Sequence, residues 1–376
     1  MPSSPEPATA AAPSSYAWEA TNEHVAARYG VPVESVARFD TNTAPAPPAT
    51  AGRILAEGRF DVPLSEYPPA DYGRLVAAAA ARYGVGTDEL LVGAGADEVL
   101  DIVAKAFLPP GGTAVVPVPT YAMFSVLSEQ RPARVVRVPR QPGQAGFRID
   151  PVAVREAAAA AEVVWLCSPN NPTGLAEQPG VIDDLLETLA GDGAPSSRAA
   201  PVVVVDEAYA EFAGTSILDS RAAYPRLVAV RTMSKAYGIA GLRAGFAIAR
   251  PDVIAAMATY RPPGSVSVPS VAVATRLLED PDVAADNVAQ TAGERERLAV
   301  GLRAAGWTVH PSVTNFLLVE LGSPSRAAAV ADGLLRRGLV PRTFGPDHPL
   351  ASCLRLTVRS SAEDDRLIEA ARELSV

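Results

Sequence analysis

The sequence predicts an α/β protein, with a largely parallel sheet covered on both faces by helices and a smaller α+β unit after it. Three observations carry this. Short apolar runs rich in valine recur at 113–118, 133–138, 162–167, 201–206 and 227–231, with helical patterns or loops between them. Buried strands that alternate with helices form sheets covered on both sides. After residue 250 the pattern changes to a long helical stretch broken by RPPGS at 261–265, then a smaller unit. Finally, 376 residues, 48% of them hydrophobic, exceed what one ordinary domain holds, so two domains are expected.

Taken in order, residues 1–15 are Pro, Ala and Ser, which predicts a flexible tail. Residues 41–50, TNTAPAPPAT, hold three prolines that remove donors and fix φ, so they are expected as a connecting segment rather than a helix. Tyr72, Leu75, Val76, Ala79 and Tyr83 fall at helical spacing and predict a helix near 70–83. Val99, Leu100, Ile102, Val103 and Phe107 predict another near 97–107. The polar stretch GDGAPSSRAA at 191–200 reads as a loop feeding the 201–206 strand. The chain closes with a strand at 353–358 and a last helix.

Charge and composition exclude several classes. With 33 basic and 42 acidic residues the net charge is −9, which argues against nucleic acid or an anionic membrane as the main partner. A small anionic substrate is still compatible, because a few local arginines can hold it. Two cysteines and three histidines show no zinc spacing, so no metal is expected. Scattered thiols suit a reducing cytoplasm. No run reaches the ~18 apolar residues of a membrane span, and the first residues do not read as a signal peptide. The expectation is a soluble, cytoplasmic protein.

Four segments carry chemistry. In RTMSKAYGIAGLRAGFAIA (231–249) a strand ends at Arg231, and Thr232, Ser234 and Lys235 follow at its carboxyl end, with Arg243 eight residues after the lysine. Open α/β sheets place their sites at such strand ends. A lysine there can bind an aldehyde covalently, and two hydroxyls with an arginine suit a phosphate. In VVVVDEAYAEF (202–212) four valines deliver Asp206 to a strand end, where a carboxylate needs a charged or hydrogen-bonded partner. Taken alone, capping a helix explains Asp206 equally well. Tyr209 follows three residues later. CSPNNPTG (167–174) places Asn171 before a proline, in extended backbone, with its amide free to donate; a plain Asn-Pro turn is the alternative. GAGADE (93–98) opens a helix whose backbone N–H groups suit phosphate, with Gly95, Ala96 and Asp97 at its start.

In this order, and together with PTYAMF (119–124), TNF (314–316) and LRLTV (354–358), these segments resemble the class I/II pyridoxal-phosphate aminotransferases. Within them the chain is most similar to the histidinol-phosphate aminotransferases and their aromatic-aminotransferase relatives, over about residues 38–370. The resemblance implies the pyridoxal-phosphate-dependent transferase fold, fold type I, and the cofactor pyridoxal 5′-phosphate. It implies a flexible tail over 1–15, an N-terminal arm shared with the small domain over 16–45, a large cofactor domain over 46–250 and a small domain over 251–376. Lys235 is then the covalent cofactor lysine, Asp206 the partner of the pyridine nitrogen, and Asn171 and Tyr209 the donors to the phenolic oxygen. Gly95, Ala96, Asp97 (through its backbone N–H), Thr232, Ser234 and Arg243 resemble the phosphate cup. Tyr121 resembles the aromatic residue stacked on the ring. Tyr67 resembles the tyrosine given by the neighbouring subunit of a homodimer. Arg355 resembles the arginine that grips the substrate's acid group, with Arg342 and Asn42 bordering the substrate.

The expected reaction moves an amino group from histidinol phosphate or an aromatic amino acid to a 2-oxo acid such as 2-oxoglutarate. A lyase or cyclase would share every cofactor residue. Arg355 favours transamination, because a gripped carboxylate is not the group that is lost. A cofactor-binding half of a transcription regulator would need a basic DNA-binding domain, and residues 1–40 are short and not basic. The chain departs from the family's pattern near the substrate. It reads TNTAPAP where the family has Asn-Glu-Asn-Pro, RPPGSVS at 261–267 where the family has a tyrosine and an asparagine, and Arg359 where the family has glycine. Arg342 and Arg359 would favour a dianionic substrate if they face the site; ordinary solvated arginines are the alternative.

Overall fold

The computed structural model describes residues 20–142, 146–190, 200–222 and 224–375. The expected tail over 1–15 and nearly all of the expected loop over 191–200 lie outside them.

Twelve strands follow in chain order among the described residues: β1 (Ala37–Phe39), β2 (Leu90–Gly93), β3 (Thr113–Val118), β4 (Arg134–Pro139), β5 (Val163–Cys167), β6 (Val202–Asp206), β7 (Leu227–Thr232), β8 (Gly245–Ala249), β9 (Thr308–Val309), β10 (Phe316–Glu320), β11 (Leu339–Pro341) and β12 (Cys353–Thr357). Seven form one sheet in the order β2-β8-β7-β6-β5-β3-β4. From β7 to β4 all neighbours are parallel; β8 runs antiparallel to β7, and β2 antiparallel to β8. This is the α/β class expected, and β3 to β7 match the five apolar runs within a residue or two. β2 and β8 are additions at one edge.

The alternation of side chains explains why the runs are apolar throughout. Val203 and Val205 of β6 join one buried cluster with Leu75, Leu166 and Phe246, whereas Val202 and Val204 join another with Leu100, Ile102 and Trp165. Each strand therefore feeds two cores, one per face, and has no polar face to show. The predicted helices begin at Gly73 and Gly95 and run to Tyr83 and Phe107. The proline-rich segment is a connection up to Pro48, after which a helix starts at Ala49. Proline at that boundary costs no helical hydrogen bond, so the expected connection is two residues too long.

The smaller unit has a core of its own, which gathers Phe39, Leu302, Trp307, Leu334, Leu354, Leu356 and Leu367. Here β12-β10-β9 form an antiparallel sheet and β1 pairs parallel with β11. The stretch from 253 to 284, assigned to the smaller domain from sequence, buries Val253, Met257, Val273, Leu277 and Ala284 with the large sheet instead. Its RPPGSVS segment reads as a break but is pinned: the Val266 N–H donates to the Tyr72 hydroxyl at 3.1 Å and Ser265 Oγ donates to Glu98 at 2.7 Å. The helix Pro281–Ala304, N-capped by Asp280, then carries the chain from one core to the other.

Candidate active site

The register aligns the strand ends. Cys167 of β5 stands opposite Asp206 of β6, and Asp206 opposite Val230 of β7. The segments after these strands therefore meet at one edge, where a cleft of about 530 Å³ opens. It is lined by Ala96, Asp97, Tyr121, Asn171, Asp206, Tyr209, Thr232, Ser234, Lys235 and Arg243 from the large domain side, and by Asn42, Arg342 and Arg355 from the smaller core. All the residues singled out from sequence are thus together except Gly95, one residue away, and Tyr67. Tyr67 is 90% exposed and lies beside Ser267 and Val268, away from the cleft. Arg359 is also absent from the lining; it pairs with Glu363 at 3.1 Å and is mostly buried, so it neither faces the cleft nor is a solvated arginine.

Asp206 is buried and accepts the Ala208 N–H at 3.0 Å. Burial pushes its carboxyl up to about 7, with Asp97 and Glu207 adding to the rise while the Ala208 N–H and Lys235 oppose it. Lys235 moves the other way. Burial lowers its amine to about 8, and Arg355 is the next cause. Its Nζ donates to the backbone oxygen of Asn42 at 3.0 Å. That oxygen also accepts the Asn315 side-chain amide at 3.0 Å. Asn42 is held on its other side too, since its N–H donates to Thr357 Oγ1 at 2.9 Å and its amide donates to the Tyr209 hydroxyl at 2.9 Å. Asn42 borders the cleft as expected, but its polar groups are spent on the protein.

Tyr209 sits edge-on to Phe316, with ring centroids 5.3 Å apart, and burial raises its phenol above the usual range. Asn171 turns its amide oxygen to Arg355, which donates at 2.6 Å, so its nitrogen is the end left to donate into the cleft. Arg355 also donates to the backbone oxygen of Asp40. Its neighbours Leu354 and Leu356 lie in the smaller core, as strand alternation requires.

The helix Gly95–Phe107 aims its first turn at the same space. Glu98 accepts the Ala94 N–H at 2.6 Å, while the N–H groups of the first turn have no intrahelical partner. Gly95 has φ +82°, and a Cβ there would stand 2.6 Å from the Arg243 guanidinium. Arg243 itself is held at φ 50° and pairs with the Asp97 carboxylate at 3.0 Å. Tyr121 donates to the other Asp97 oxygen at 2.7 Å. Asp97 therefore contributes a side chain that ties two lining residues together, beyond the backbone N–H expected of it. Thr232 and Ser234 are linked hydroxyl to hydroxyl at 3.0 Å.

Sequence reasoning missed several lining residues, Arg38, Asp40, Phe344 and His348 among them. Arg38 forks onto Asp40 at 2.8 and 2.6 Å. The signal was their alternation with core-facing Phe39. Phe344 and His348, on the segment between β11 and β12, stack at 4.9 Å and 20°. Nothing periodic marks them.

The family described as Aminotransferase class I and II matches residues 46–371. The histidinol-phosphate aminotransferase of Roseiflexus castenholzii is 36% identical, over 94% of this chain and 93% of that one. That of Symbiobacterium thermophilum is 39% identical over 77% of each. Among solved structures, histidinol-phosphate aminotransferase from Sinorhizobium meliloti in complex with pyridoxal-5′-phosphate is similar with a TM-score of 0.84 at 25% identity, covering 95% of both chains.

Proposed function

The chain belongs to the class I and II aminotransferases, and from that premise we propose that it moves an amino group from histidinol phosphate, or an aromatic amino acid, to a 2-oxo acid such as 2-oxoglutarate. It is an enzyme, and its cofactor is pyridoxal 5′-phosphate. The residues of the cleft fit that group. Asp206 is a buried carboxylate whose side chain has a single hydrogen bond among the described residues and a raised pKa, which a cationic ring nitrogen would relieve. Asn171 has an amide end left to donate, and the first turn of the helix Gly95–Phe107, with Thr232, Ser234 and Arg243, offers donors for a phosphate. Tyr121 would cover the ring.

When bound, the cofactor supplies an aldehyde that captures amines and a ring that accepts electrons. The chain supplies the rest. Lys235 Nζ carries a proton below about pH 8 and gives it up above, so it can accept and return one at neutral pH. The Asn42 oxygen holds that nitrogen in place when it is not otherwise bonded. Arg355 grips the substrate's acid group with a planar fork. Arg342 stands beside it, because their backbones exchange hydrogen bonds of 3.0 Å in both directions. The observation that carries the proposal is the pairing in one cleft of a carboxyl raised to about 7 and an amine lowered to about 8.

A homodimer completes the site in this proposal. Tyr67 stands on an exposed face where a partner's cleft would take it up, and the altered RPPGSVS segment adjoins that same face. A cytoplasmic setting agrees with two free cysteines, and no described helix is long and apolar enough to cross a membrane.

The test is a panel of amino donors, followed through the visible absorbance of the lysine-bound cofactor in half-reactions. Histidinol phosphate or an aromatic amino acid should bleach it fastest, and Lys235→Ala should show neither the band nor turnover. An unchanged band in Lys235→Ala would overturn the site, and a panel in which only other amines react would overturn the donor.

A further inference from the structure

Resting on the phosphate-ester donor proposed above, we propose that His348 is the specificity-determining residue that distinguishes a phosphate ester from a carboxylate, by donating its Nε2–H to a phosphate oxygen at the acid-holding wall of the cleft.

The wall starts from two arginines. Arg342 and Arg355 form a hydrogen-bonded antiparallel pair, so their side chains leave the same face. A planar carboxylate is satisfied by one guanidinium fork. A phosphate monoester presents three terminal oxygens in a tetrahedron, and a planar fork reaches two of them. Two guanidiniums on one face leave lone pairs on the tetrahedron's other side, and a further donor set there is what separates the two ligands. His348 follows Arg342 by six residues on the segment that leads to β12 and lines the same cleft.

The ring's protonation is fixed by its neighbours. The Leu350 N–H donates to His348 Nδ1 at 3.1 Å. A nitrogen that accepts carries no proton, so the neutral ring carries its proton on Nε2. Among the described residues no side chain or backbone group is hydrogen-bonded to Nε2. Phe344, stacked on the ring at 4.9 Å, holds its plane. Burial and the nearby Arg342 charge both lower the imidazole's pKa, so it offers a hydrogen bond rather than a second positive charge. A carboxylate already matched by Arg355 gains little from such a donor, whereas a phosphate oxygen without a partner gains a full charge-assisted bond.

The experiment compares histidinol phosphate with histidinol, which differ only in the phosphate, in wild type, His348→Leu and His348→Gln. In His348→Leu the ratio of kcat/KM for the two donors should fall about tenfold, the worth of one hydrogen bond to a charged group. His348→Gln, which restores an N–H donor, should recover most of it. Inhibition by inorganic phosphate of the 2-oxo-acid half-reaction, started from enzyme loaded with pyridoxamine 5′-phosphate, needs no amino donor, and its Ki should rise about tenfold in His348→Leu. This separates the two ideas: a wild type that prefers histidinol removes the donor proposal, and the phosphate Ki alone then decides on His348. A donor ratio and a Ki both within twofold of wild type in His348→Leu overturn the assignment. So does a loss that His348→Gln fails to recover.

Discussion

Asp206 and Lys235 are pushed in opposite directions by the same burial, and the sign of each has a measurable consequence. The Asp206 carboxyl rises from 3.8 to about 7 in the folded chain. A raised acid binds protons in the native state that the unfolded chain has released. Its contribution to stability is therefore fully present below pH 3.8 and lost as the pH rises through 7. In Asp206→Asn that loss disappears. The cofactor-free variant should be more stable than the wild type at pH 8, by an amount on the order of 4 kcal/mol, and close to it near pH 4. With cofactor the order should reverse, because only the carboxylate gains from a cationic ring nitrogen, and turnover should drop by tenfold or more. Melting curves at both pH values, with and without pyridoxal phosphate, check this. Parallel pH profiles for the two proteins would mean that Asp206 only caps the turn through the Ala208 N–H.

At the scale of elements, the tightest constraint is the crossing of β8 with the start of the helix Gly95–Phe107. A Cβ on Gly245 would stand 2.5 Å from the carbonyl carbon of Gly95 and 2.7 Å from the nitrogen of Ala96. Those are backbone atoms and cannot swing aside. Gly245→Ala should lift the helix start away from the cleft, weakening pyridoxal-phosphate affinity more than tenfold and costing about 1–3 kcal/mol of stability. Gly293→Ala, in a helix with nothing within 4 Å, is the control and should be neutral or stabilising. Equal cofactor affinity in both variants would show that the helix start does not depend on that approach. The same crossing marks where the sequence stops being readable. Lys235, Asp206 and Asn171 were legible because each follows a strand of nearly uninterrupted apolar residues, and buried parallel strands leave that signature. GFAIA and LLVG, the strands β8 and β2, are short and carry glycine, so no periodic run separates them from a loop. His348 was illegible for a different reason: its role depends on the Leu350 N–H and the Phe344 ring, and neither contact is implied by spacing along the chain.

Across the whole molecule, the large sheet and the smaller unit meet at one cleft, and the long helix Pro281–Ala304 joins a core of the first to the core of the second. The sequence showed that a second unit follows residue 250 but not where it begins, because the proline-glycine break at 261–265 looks like a linker and is instead docked on Tyr72 and Glu98. The face beside that break carries Tyr67. If it is the homodimer face proposed above, Tyr67→Phe protomers mixed with Lys235→Ala protomers should form a heterodimer with one intact site. Mixing and reassociation should restore activity toward a quarter of wild type. Activity that only follows dilution of the parent variants would leave Tyr67 an ordinary surface residue.

The resting partner of Lys235 is a peptide carbonyl, and every amino acid carries one. Exchange of the side chain at position 42 can free the Tyr209 hydroxyl, but it cannot delete the acceptor that holds the amine. What position 42 can lose is only the backbone shape, a φ of 52°, which asparagine and glycine adopt and branched residues resist. The resting contact of the lysine is thus inherited as a permitted curvature of the chain rather than as a particular residue.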